Sequence, residues 1–323
     1  MSPDFPSATL PRNMVRSHHA LRRMELTITR RLDGLLHGEH LGRGLGQGSE
    51  TAEARAYQPG QDDVRLMDWA LTARTTTAHV RDLVADRELE SWTLLDLSPS
   101  MNFGTAAHTK REVALGALVA VNALTQRGGD RLGLHVLHAG GHDRYATRSG
   151  PQAVFNLLHR AHRTTQHPPN SLPPPTDSSD TDLARALHDL TRQQRRRGLR
   201  VIISDFLTPH TWEPALRQLT QHHQVLAIEI LDPRELDIPN LGWITLRDPE
   251  TRRVRDVYIS AHVRHTYRTA ALHHRETTHN ALRRTGALHL VLRTDRDWIR
   301  DIAAFVARQR RVAHLAHRTA RAR

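Results

Sequence analysis

Hydrophobic positions early in the chain fall at helical intervals and then thin out. Leu21, Met24, Ile28, Leu32 and Leu35 recur every three or four residues, which predicts a helix within residues 13–37. The glycines of HLGRGLGQG, residues 40–48, predict a loop after it. Residues 50–90 combine dense charge with the Pro59-Gly60 turn signal, Tyr57 and Trp69, too polar a mixture for a simple core element.

A different rhythm starts at Ser91. WTLLDLS reads as a short buried strand, TKREVALGALVAVNALTQ as a helix, RLGLHVLHA as a second strand and PQAVFNLLHRAHR as another helix. TTQHPPNSLPPPTDSSD, residues 164–180, is proline-rich and polar and predicts a surface loop. The order then resumes: TDLARALHDLTRQQ as helix, LRVIISDF as strand, a helix near 211–221 and HQVLAIEIL as strand. Residues 232–260 carry the glycine, proline and acidic residues of a hairpin-like insertion, and a long helix at 261–285, the strand ALHLVLRT and a helix from about Arg296 close the chain. Strands and helices in regular alternation build a parallel sheet joined by crossovers. The expectation is an α/β fold, a doubly wound, mainly parallel sheet over residues 91–323. Residues 1–90 are expected to form an N-terminal extension, helical and irregular, that carries AYQPGQDDVRLMDW.

Composition removes several function classes. With no cysteine in 323 residues, disulfides, zinc–thiolate sites and cysteine nucleophiles are excluded, and a reducing, cytoplasmic setting is expected. VALGALVAV, residues 113–121, falls well short of the roughly 20 apolar residues that a membrane span needs, and MSPDFPSATLPRNM lacks the pattern of a signal peptide. The net charge of +12 raises nucleic acid as a partner. Nearly all the basic residues are arginine, Lys110 being the only lysine, so much of the excess reads as solvated surface. The basic runs at 193–200 and 308–323 contain no aromatic residue for base stacking. The 24 histidines include no HExxH, and the pairs at 18–19, 222–223 and 273–274 point to different faces of a helix, so they read as scattered surface residues.

The candidate chemistry lies in LLDLSPSM, residues 94–101. A strand that ends in Asp96, Ser98 and Ser100 presents a carboxylate and two hydroxyls where parallel sheets collect ligands. These are hard oxygen donors of the kind magnesium prefers. Thr181, opening a helix, and Asp205, ending RVIISD, are placed to complete the set. The constellation resembles the metal-ion-dependent adhesion site of von Willebrand factor A domains. By that resemblance Ser98, Ser100 and Thr181 would bind a cation through hydroxyls, with Asp96 and Asp205 acting largely through water. The ion would be Mg2+, or Mn2+ or Ca2+.

ARAYQPGQDDVRLMDWALTAR, residues 54–74, followed by a strand bearing DLSPSM, and ILDPRELDIPNLGWITLRDPETRR, residues 230–253, together resemble the bacterial domain-of-unknown-function family 58 (DUF58) over about 45–300. The resemblance implies a von Willebrand factor A-like domain, a MoxR-type AAA+ ATPase as partner, and an acidic residue of a protein ligand completing the metal shell. Asp62, Asp63, Arg65, Asp68, Trp69 and Arg74 read either as a salt-bridged clamp on the N-terminal segment or as a partner-contact surface. The favoured function is a non-enzymatic metal-dependent binding module. The alternative is a magnesium-dependent nucleic-acid-binding protein or hydrolase. Against it stand the lack of a Gly-x-x-x-x-Gly-Lys phosphate loop and of a G-x-S-x-G elbow, Ser98 being flanked by Leu97 and Pro99.

Overall fold

A computed structural model of the chain describes residues 26–32, 35, 54–58, 67–75, 77–81, 90–125, 131–139, 141–146, 156, 158–159, 179–193, 198–248 and 253–321. The chain divides into two compact units, one of residues 40–88 and one of residues 1–39 with 89–323. The second segment of the large unit starts within two residues of the division expected at residue 90, and residues 1–39, expected in the extension, group with it. Helical residues 26–32 belong with the large unit, where Ile28 and Leu32 are buried in its apolar core. In the small unit β1 (Ala54–Ala56) pairs antiparallel with β2 (His79–Arg81), with the helix α1 (Trp69–Thr75) between them in sequence.

The large unit is built on six strands: β3 (Glu90–Asp96), β4 (Arg131–His138), β5 (Gly141–Ala146), β6 (Leu199–Ser204), β7 (Gln224–Leu231) and β10 (Leu288–Arg293). Their order is β10-β7-β6-β3-β4-β5, parallel throughout except for β5, which runs antiparallel to β4. The direction of winding reverses between β3 and β6. The expected doubly wound, mainly parallel α/β sheet is thus the observed one. β5 was not expected, because GHDRYA is polar; as an edge strand it has one neighbour and needs no apolar run.

Helices cover both faces. On one lie α2 (Lys110–Thr125) and α7 (Trp298–Arg321); on the other α3 (Ser179–Gln193), α4 (Glu213–His222) and α6 (Ala261–Thr285). α2 is buried at every residue from Val113 to Asn122, as a helix apolar all round should be. A Cβ at Gly116 would stand 2.4 Å from Trp298 Cη2, so glycine is what lets the indole lie against α2. α6 starts at Ser260, whose hydroxyl accepts from Val263 N, and stops at Gly286 in the left-handed conformation, φ 80°. The hairpin expected in residues 232–260 is present as β8 (Gly242–Arg247) and β9 (Val254–Ile259), a two-stranded sheet separate from the main one. Of the helix expected at 151–163, residues 156, 158 and 159 are described and are helical. No helix among the described residues is long and apolar enough to cross a membrane.

Candidate metal centre

β3 and β6 are parallel neighbours in register, Leu95 opposite Ile203, so their carboxyl ends deliver Asp96 and Ser204 side by side. Ser204 Oγ donates to Asp96 Oδ2 at 2.6 Å, and Ser98 N donates to Asp96 Oδ1 at 2.9 Å. The carboxylate is thereby fixed at the base of the turn that presents the serines. Past β6 the chain bends at Phe206, which has φ 52°, a left-handed conformation rare for a bulky residue. Such a residue costs about 1–3 kcal/mol and persists only where its surroundings hold it. Here Phe206 N donates to Ser204 Oγ and the ring packs edge-on against buried Trp212. The bend turns Asp205 back toward the serines.

Four of the five expected ligands meet. Ser98 Oγ and Ser100 Oγ are 3.1 Å apart, and Ser100 Oγ donates to Asp205 Oδ2 at 2.8 Å. Two oxygens bound side by side at about 2.1 Å in an octahedron lie roughly 3.0 Å apart, which the serine pair matches. With the Ser100 hydroxyl donating to Asp205, oxygen lone pairs remain for an ion. Among the described residues no three His, Asp or Glu side chains form a cage; the oxygens gathered here are the two hydroxyls and the carboxylates of Asp96 and Asp205. These oxygens fit a hard, oxygen-seeking cation, which Ser98 and Ser100 would hold with Asp96 and Asp205 behind them. Thr181 lies in the first turn of α3; its side chain is outside the described residues.

The structure adds a cation of the chain's own. Lys110, at the start of α2, is fully buried, and Nζ donates to Asp205 Oδ2 at 2.7 Å and to Glu235 Oε1. Burial alone would lower its pKa, but Asp205 and Glu235 outweigh it and raise the pKa, so the ammonium stays charged. Glu235 sits on the short helix α5 (Pro233–Leu236), where it closes a capping box: Asp232 accepts from Arg234 N and Glu235 Oε2 accepts from Asp232 N. Asp232, itself fully buried, also accepts from Thr105 and Thr294, tying the loop after the serines to the end of β10.

The sequence reading missed this cluster, although two signals were present. The single lysine of a chain otherwise supplied with arginine is the buried one, and a compact ammonium is what a closed space between two carboxylates accepts. D-P-R-E is a capping-box pattern that aims a glutamate. Asp96 has its pKa raised to about 6, by burial first and by the Asp205 charge second. Arg111, whose Nη2 donates to Leu97 O at 3.1 Å, brings positive charge to Asp96.

The charged segment of the small unit gives less. Asp68 caps α1, accepting from Ala70 N and Leu71 N at 3.1 Å, while Trp69 and Arg74 are exposed. Asp62, Asp63 and Arg65 lie outside the described residues.

The family model for "Protein of unknown function DUF58" matches residues 53–277. The uncharacterized protein Rv1480 of Mycobacterium tuberculosis is 46% identical over 298 residues, 92% of this chain and 91% of that protein. The uncharacterized protein MAV169 of Mycobacterium avium is 48% identical over 132 residues, 41% of this chain and 78% of that protein. Among solved structures, the conserved hypothetical protein BatB of Bacteroides thetaiotaomicron aligns at 14% identity and a TM-score of 0.40, over 69% of this chain and 99% of its own. The SpRpn10 VWA domain aligns at 12% identity and a TM-score of 0.34, over 66% of this chain and 92% of its own.

Proposed function

The chain belongs to the DUF58 family, and from that footing we propose that it is a non-enzymatic protein-binding module whose contact centre is a divalent cation at Ser98 and Ser100. The observation that carries the reading is the pair of hydroxyls 3.1 Å apart at the point where the sheet reverses its winding, backed by Asp96 and Asp205. A cation held chiefly by neutral hydroxyls keeps net positive character. It attracts a carboxylate from a partner, and that carboxylate completes the shell. Lys110 shares Asp205 with the site, so less of that carboxylate's charge is available to the ion and resting affinity is weak. Magnesium is the ion assigned, with manganese or calcium as substitutes, and Thr181 is the third hydroxyl.

The partner assigned is a MoxR-type AAA+ ATPase, in the cytoplasm, with an acidic residue as the direct ligand; Trp69 and Arg74, both exposed, belong to the same contact role in the small unit. Catalysis is not part of the reading. Two-metal phosphoryl chemistry uses several carboxylates directly on the ions, whereas Asp96 and Asp205 are engaged by Ser98 N, Ser204, Ser100 and Lys110. Affinity capture in magnesium and in chelator, with Asp96→Ala protein beside the wild type, is the test. A MoxR-type ATPase retained by the wild type in magnesium alone supports the proposal. Equal retention in chelator, or by Asp96→Ala, contradicts it.

A further inference from the structure

Beyond Asp205, on the side away from the serines, a cavity of about 300 Å3 separates the carboxyl ends of β6 and β7 from α6. That volume is at the small end for ligand pockets and suits one side chain or a small metabolite. Leu207, Leu231 and Leu236 make one wall apolar, and Ala270 and Ala271 of α6 are small enough to leave the space open.

The cavity also contains a polar pair that internal structure does not account for. Glu229 lines it from β7, only 2% exposed, and its carboxylate faces the helix layer where its strand neighbours Ala227 and Val225 are apolar. Oε2 is bonded to His289 Nε2 at 2.8 Å; Oε1 has no partner among the described residues. Across the cavity, Nε2 of His274 is buried and has no hydrogen-bond partner among the described residues. Burying a carboxylate costs several kcal/mol unless donors surround it, and an unmade buried bond costs about 1–3 kcal/mol more. The other charges at the cavity are Asp205, Glu235 and Arg275, and Lys110 stands behind the first two. Three carboxylates against two fixed cations leave the cavity acidic.

We propose that this cavity binds a guanidinium or primary amine on an alkyl stem, the cationic head donating to Glu229 Oε1 and His274 Nε2 and the stem lying along the leucines. A head of this kind forms charge-assisted bonds with the carboxylate, and an alkyl stem is the part of a basic side chain that apolar walls accept. The source is either a free diamine or a basic side chain of a bound peptide. The site uses neither serine hydroxyl, but it shares Asp205 with the proposed metal centre, so its binding is read without a metal.

Calorimetric titration of the full chain with agmatine, in chelator, tests it. One saturable site is expected, weakened at least about ten-fold by Glu229→Gln, as loss of one charge-assisted hydrogen bond implies. Ala271→Leu, which fills the cavity and leaves its charge alone, should weaken binding as strongly, while Trp243→Ser, on the separate hairpin, should bind as the wild type does. A capped arginine peptide that binds as tightly as agmatine assigns the source to protein; agmatine alone binding assigns it to a free amine. Absence of saturable binding, equal binding of the neutral analogue N-butylurea, or binding that survives both cavity variants overturns the proposal.

Discussion

The two faces of the central sheet are built from the same strands and do different work. β7 shows it within three residues: Ile228 and Ile230 enter the core under α2 and α7, while Glu229 between them enters the layer under α6. The first face is closed, with α2 buried over ten consecutive positions and Gly116 admitting Trp298. The second is closed by Leu216, Leu219 and Leu282 and, past the end of β6, by Phe206 and Trp212, but not between β7 and the middle of α6. Toward the carboxyl ends it opens into Asp205, Glu229, Glu235 and a cavity. One face stabilises the fold, and that margin lets the other hold buried charge and a strained Phe206.

The largest effect is expected at Lys110, where the two faces meet. Lys110→Met leaves Asp205 and Glu235 without their cation and should cost about 3–5 kcal/mol in denaturant unfolding. Lys110→Arg should also destabilise, because a fully buried site shaped to an ammonium has no room for a guanidinium. Retention of wild-type stability by Lys110→Met would show that the ion cluster is not a closed buried one. Next in size, Leu118→Ala on the closed face should cost about 2–5 kcal/mol and leave ligand binding at the other face unchanged. A parallel loss of agmatine affinity would mean that the faces are not separable.

A smaller effect is expected from pH. The folded Asp96 carboxyl, raised from 3.8 to about 6, binds its proton more tightly than the unfolded one. Its contribution is therefore most favourable below about pH 4 and declines as pH rises to about 6, by no more than about 3 kcal/mol. Asp96→Asn keeps an acceptor for Ser98 N and removes the charge, so its stability should lack this decline; an identical slope in the two proteins would remove Asp96 as the cause. The smallest effect belongs to the hairpin. Trp243, 73% exposed and packed only edge-on with Tyr258, should cost less than about 1 kcal/mol when changed to serine.

How much of this the sequence discloses depends on whether the signal is local. Apolar runs and alternation mark every parallel strand and the helices α2, α4, α6 and α7, because those patterns arise from burial of the element itself. DLSPS and the position of Asp205 at a strand end are likewise local, and the switch-point rule brings them together. β5 escapes because an edge strand can be polar. Lys110, Glu235 and Glu229 escape for another reason. Each reads as an ordinary surface residue until tertiary structure closes over it, and what distinguishes Lys110, its being the only lysine, is a contrast with the whole composition rather than with its neighbours.

The central claim is that Ser98 and Ser100 hold a cation. Calorimetric titration of the metal-stripped chain with magnesium tests it most directly, with a Ser98→Ala, Ser100→Ala double variant as the comparison and circular dichroism to verify that both are folded. Weak uptake of a single ion by the wild type and none by the variant is expected. Equal uptake by the two proteins, or none by the wild type, contradicts it.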